Sequence, residues 1–223
     1  MSLDVSYCPP GQLYHLRISM PCNRQCFFDQ QDYFFFIDVA ARSAKQVGIR
    51  CHTFALFDHD AHFLITPEHQ SSVIDWVSYI SRAYQRYQGA RDYSVRLDVT
   101  GISLIDDECY ALTLSRYIEL LPVYRGLVGT AAQYNFSSYQ QNAVCETKWG
   151  EQLLAQQDAY QELGLTQGER RQRYRAMFCL PIPRNTLKQI ENANSNCRVV
   201  GDDLFKRRLE RRLTREQQRR LTA

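Results

Sequence analysis

Residues 49 to 67 read IRCHTFALFDHDAHFLITP, two apolar runs on either side of one polar turn. The runs IRCHTFALF and AHFLITP predict two strands of a β-hairpin whose turn falls near Asp58 to Asp60. What flanks the hairpin narrows the choice of fold. Before it, DQQDYFFFIDVAARSAKQV (29 to 47) carries a capping residue, Asp29, and a helical apolar stripe that stops at Gly48. After it, SSVIDWVSYISRAYQRY offers Ser72 as a cap, sets Val73, Trp76, Val77 and Ile80 on one side and stops at Gly89.

Further elements complete the order. QLYHLRIS (12 to 19) alternates as a strand, an extended segment covers about residues 94 to 104, and DDECYALTLSRYIELL predicts a third helix ending before Pro122. Strand, helix, strand, strand, helix, strand, helix is the split β-α-β ferredoxin-like order. The expected fold class is therefore α+β, an antiparallel sheet with helices on one face. Beyond Val128 the chain turns polar and helical, so residues 1–145 read as one domain and 146–223 as a basic helical extension.

Charge supports that division. Residues 1 to 168 hold 12 Lys/Arg against 18 Asp/Glu, a balance of −6, whereas residues 169 to 223 hold 15 against 6, a balance of +9. In FKRRLERRLTREQQRRLTA, Phe205, Leu209 and Leu213 recur at four-residue steps among arginines, the pattern of an amphipathic basic helix. Such a helix either neutralises phosphates or docks by its leucines with the arginines solvated, and the pattern leaves both open. No apolar run reaches the ~20 residues of a membrane span, and the N-terminus lacks the basic-then-apolar order of a secretion signal, so a cytoplasmic protein is expected. The eight cysteines are scattered and read as reduced thiols; Cys22 and Cys26 have no second ligand pair with which to hold zinc.

Within the hairpin, side chains two apart point the same way, so Asp60 and His62 share a face and His59 takes the other. A carboxylate and an imidazole on one face are a start for Mg²⁺ or Mn²⁺, but two ligands alone read more readily as a capping aspartate beside a half-buried histidine. Tyr117, in ALTLSRYIELLP, lies late in a helix where its hydroxyl can project toward the sheet, and a tyrosine hydroxyl is able to attack a phosphodiester.

Several blocks in one order carry a resemblance: GQLYHLRIS, CNRQCFFDQQDYFFFI, GIRCHTFALFDHDAHFLITP, YALTLSRYIELLPVYRGLV, YNFSSYQQNA, RQRYRAMF and DDLFKRRLERRL. Together they resemble the single-tyrosine HUH transposases, in particular the REP-associated tyrosine transposases, over most of the chain. The resemblance implies a ferredoxin-like catalytic domain, paired as a homodimer, that binds hairpin DNA and cleaves a single strand. It implies a divalent ion, Mg²⁺ or Mn²⁺, held at Asp60 and His62, Tyr117 as nucleophile, and a nucleoid-associated protein of a prokaryote. Asp60 stands where the family has its first histidine, and Ala61 where a bulkier residue is usual. Leu121-Pro122 stands in place of asparagine-proline, and Tyr124 and Arg125 in place of arginine and alanine. Two functions follow, a metal-dependent strand-transferase, or a descendant that binds DNA without cleaving it. In either, Arg170, Arg171, Arg173, Arg207, Arg208, Arg211 and Arg212 are the expected DNA contacts.

Overall fold

The structure is a computed structural model that describes residues 8–21, 24–144 and 151–211. Its elements follow the expected order: β1 (Leu13–Ser19), α1 (Gln30–Val47), β2 (Ile49–Leu56), β3 (Asp60–Pro67), α2 (Ser72–Gly89), β4 (Asp98–Ile105) and α3 (Asp107–Tyr124). Beyond these come α4 (Asp158–Gln161), α5 (Gln167–Met177), α6 (Arg184–Ser195) and β5 (Val199–Val200). The sheet order is β2-β3-β1-β4-β5, antiparallel throughout except for β5, which runs parallel to β4.

Local chemistry sets the boundaries. The Asp29 carboxylate accepts from the amides of Gln31 and Asp32, while Asp32 accepts from the Asp29 amide, a capping box that satisfies donors the first turn would leave unpaired. At the other end Gly48 has φ +70°, a left-handed conformation suited to glycine, and returns the chain directly into β2. Ser72 does not cap α2 as expected. Ser71 holds the cap position without a side-chain bond, and the Ser72 hydroxyl accepts from the His69 amide instead.

The fourth strand begins at Asp98 rather than near residue 94, although Val95 and Leu97 are buried on the way in. More consequential is the third helix, which continues through Pro122 to Tyr124. Proline forfeits one backbone bond, but Leu121 is buried and the Arg125 amide still reaches the Leu121 carbonyl, so the helix holds for another turn.

Alternation divides the core. Tyr14, Leu16, Phe63, Ile65, Ile102 and Leu104 face α1 and α2, where Trp76 donates to the Ala40 carbonyl at 3.0 Å. This is the expected helical layer on one face. The opposite face is covered too: Leu13, Ala55, Leu64 and Ile105 pack against Leu114, Tyr117, Ile118 and Leu121 of α3 and Ile190 and Ala193 of α6. The helical extension is thus built onto the sheet, through α6 on its face and β5 at its edge. Gly101 permits the approach of α6, because a Cβ there would collide with the Asn194 amide, which donates to the His15 carbonyl.

Cys26 and Cys51 are buried free thiols, and Cys179 and Cys197 form no disulfide among the described residues. Cys22 lies outside the described residues. Among the described residues no helix is long and apolar enough to cross a membrane.

Candidate functional site

The face beneath α3 gathers five polar residues. In the antiparallel pairing of β1 with β3, Arg17 lies opposite His62 and Ser19 opposite Asp60, and alternation puts His15 and Arg17 on the same side as Asp60 and His62. His59 is exposed on the turn, away from this face. The phase expected for the hairpin is therefore the one observed.

Asp60 is 2% exposed and both its oxygens are engaged by guanidinium groups. Arg17 donates to Oδ2 from Nε at 2.9 Å, with Nη2 also 2.9 Å away. Arg125, just past the end of α3, forms a fork, Nη1 to Oδ1 at 2.7 Å and Nη2 to Oδ2 at 3.0 Å. Its Cζ lies 3.8 Å from the centre of the Phe57 ring, which fixes the plane of the fork. The extra helical turn beyond Pro122 is what carries Arg125 to this position.

The imidazoles are equally committed. Nε2 of His62 lies 3.1 Å from Arg125 Nη2 and 3.4 Å from Asp60 Oδ2, so it accepts from the guanidinium in one tautomer and donates to the carboxylate in the other. Its Nδ1 shares a hydrogen bond of 2.9 Å with His15 Nε2, and the two rings stack at 5.2 Å. Burial holds His62 below the usual histidine range. His15 lies well below it, from burial first and then from His62 and Arg17, and its Nδ1 is without a partner among the described residues. Burial would push the Asp60 carboxyl up, but His62 and Arg125 outweigh it and keep the group ionised, far below the carboxylate range.

These residues do not fit a divalent cation. Such an ion needs oxygen or nitrogen lone pairs turned toward a common point, and here both Asp60 oxygens are taken by arginines while His62 Nε2 lies between Arg125 and Asp60. Among the described residues no three His, Cys, Asp or Glu side chains cluster in a way that could hold a metal. The aspartate in the first ligand position and the arginine after α3 form one unit, a carboxylate with two organic cations on it.

Tyr117 lies on the same face. Its ring meets the edge of His15 at a centroid distance of 5.9 Å, so it stands two ring contacts from His62. It is 4% exposed, and burial, followed by Glu191, raises its hydroxyl above the tyrosine range, which makes the phenol harder to ionise.

The basic residues fall in two places. On α5, Arg170 donates to the carbonyls of Gly164 and Leu165 and Arg173 to that of Leu163, closing the loop that leads into their own helix, and Arg171 is half-buried. A helical segment over 203–211 buries Leu209 against the core, with Phe205 half-buried, and leaves Arg207, Arg208 and Arg211 exposed. Docking by the apolar stripe and an outward basic face thus coexist. Arg212 and Leu213 lie outside the described residues.

Sequence reasoning gave no role to His15, Arg17 or Glu119 and met Arg125 only as a departure from the family pattern. The first two share the two-residue spacing of Asp60 and His62, a signal that was available, but nothing local announces which strands pair. Glu119 is wholly buried on α3, where it accepts from Ser138 at 2.6 Å and Asn142 at 2.9 Å through one oxygen and from Tyr174 at 2.9 Å through the other. Burial pushes its carboxyl up to about 7 against the pull of those three donors.

The sheet, with a polar strand beneath a tyrosine-bearing helix, is an α+β, ferredoxin-like fold, and that fold is like the one seen in a tyrosine transposase. The particular likeness is to the solved structure of a REP-associated tyrosine transposase bound to a REP hairpin. It superposes with a TM-score of 0.52 at 15% identity, covering 70% of this chain and 100% of that one. At that identity the likeness is one of fold. A bacterial tRNA-histidine guanylyltransferase-like protein in complex with ATP also aligns, over 58% of this chain and 64% of that one, at 12% identity and a TM-score of 0.39, too low to carry an argument. No family model and no curated protein matches the chain.

Proposed function

We propose that the protein binds single-stranded or hairpin DNA on the α3 face of its sheet and does so without a metal ion. The observation that carries this reading is the match in fold of 70% of this chain to the whole of a hairpin-bound transposase, combined with two guanidinium groups where the resemblance expects a cation. The exposed Arg207, Arg208 and Arg211 supply further positive charge on a body that is otherwise acidic, and phosphate contacts from such residues provide the sequence-independent part of affinity.

A metal-free site alters what Tyr117 is able to do. With no divalent ion to polarise a phosphate as a Lewis acid and a buried phenol that resists ionisation, nucleophilic attack has little assistance. One observation favours retained chemistry nonetheless, the position of Tyr117 on the same face, two ring contacts from His62. Labelled hairpin and single-stranded DNA, incubated with the protein with and without Mn²⁺ and resolved on denaturing gels, separate the two. The binding reading expects a salt-sensitive complex and no covalent adduct. An adduct that disappears in Tyr117→Phe overturns it in favour of a strand-transferase.

A further inference from the structure

We infer that Arg17 and Arg125 form a phosphate-binding fork, braced by Asp60, in which two guanidinium groups do for one DNA phosphate what a divalent cation would otherwise do. The inference rests on the DNA-binding reading above and adds to it the chemical group bound and the residues that bind it.

Charge supports it first. Two guanidiniums face one carboxylate, so the cluster keeps a net charge of +1 after its internal ion pairs are made. That surplus lies on the part of the chain that is acidic overall, which makes the cluster a local positive pole able to receive an anion. Access comes next. Asp60 is buried, but both arginine side chains are 32% exposed, so each meets solvent while it is held by the buried carboxylate. Arg17 Nη1 and Arg125 Nε donate to nothing among the described residues, which leaves N–H groups for a ligand.

Geometry is the third argument. A guanidinium matches phosphate oxygens with paired donors, and its affinity improves when its plane is set before the ligand arrives. Phe57 under Arg125 and the two-point contact with Asp60 set that plane. The same contacts take up the lone pairs a cation would need, so phosphate binding by the fork and metal binding by Asp60 and His62 exclude each other.

The test measures anisotropy of a fluorescein-labelled single-stranded oligonucleotide titrated with the full chain in EDTA, repeated over a series of salt concentrations. Wild type is expected to bind equally well in EDTA and in Mg²⁺. The triple variant Arg17→Gln/Asp60→Asn/Arg125→Gln removes all three charges together, so no unpaired charge is left buried. It is expected to bind about tenfold more weakly, with the slope of log affinity against log salt reduced by about 0.7, the value of one phosphate contact on a single strand. If that variant does not fold by circular dichroism, Arg17→Lys/Arg125→Lys keeps the ion pairs but loses the forks, and weaker binding at an unchanged slope is expected. Unaltered affinity in the folded variant overturns the inference and leaves the DNA-binding reading standing. Loss of wild-type binding in EDTA also overturns it, in favour of a metal. Absence of any binding by wild type overturns both.

Discussion

At the scale of single residues, Arg125 is the position on which the site depends. Removing it leaves Asp60 buried with only Arg17 as a charged partner, and breaking a buried ion pair from one side costs several kcal/mol. Because Arg125 is partly exposed and Arg17 remains, Arg125→Ala is expected to destabilise the protein by about 2 kcal/mol in urea unfolding, with Arg125→Ala/Asp60→Asn recovering part of that loss. Glu119 makes a second prediction, with a defined pH window. Its folded value of about 7 lies above the ordinary 4.5, so the native state holds a proton that the unfolded chain has released. The corresponding stability is complete below about 4.5 and is lost as pH rises through 7, by up to roughly 3 kcal/mol. Buried histidines act in the opposite sense. His52, lowered by burial to about 4, removes stability as pH falls below 6.5. The difference between wild type and Glu119→Gln therefore isolates the carboxyl, and the variant should gain on wild type as pH rises from 5.5 to 8.

At the scale of elements, the outline was legible because it is written in local signals. Asp29 with Asp32 and the left-handed Gly48 bracket α1 where capping chemistry says they must. Gly48→Ala tests this, since it forces a side chain into φ +70° and sets its Cβ 3.1 Å from the Cβ of Glu68; a loss of about 1 to 2 kcal/mol in thermal or urea unfolding is expected. Boundaries that depend on tertiary packing were less legible. Pro122 reads locally as a stop, yet buried Leu121 and the Arg125 contact with Asp60 sustain the helix past it. The α6 contact could not be read at all, because it rests on Gly101 and Asn194, ninety-three positions apart in sequence and joined only by the fold. Gly101→Ala should loosen that contact, seen as faster amide exchange in α6 and β5 with α1 and α2 unchanged.

For the molecule as a whole, sequence periodicity set Asp60 and His62 on one face, and resemblance supplied the expectation of a metal between them. Neither reveals what stands across the sheet. The partners that decide the chemistry, Arg17 from β1 and Arg125 from beyond α3, lie 43 and 65 positions from Asp60. Their effect is to convert a pair of potential ligands into an ion-paired cluster, on a fold that matches a hairpin-bound transposase over that protein's whole length. Calorimetric titration of Mn²⁺ into the full chain without DNA tests this most directly. A cluster closed by arginines predicts no saturable heat in wild type. Stoichiometric Mn²⁺ binding that Asp60→Ala abolishes would contradict it.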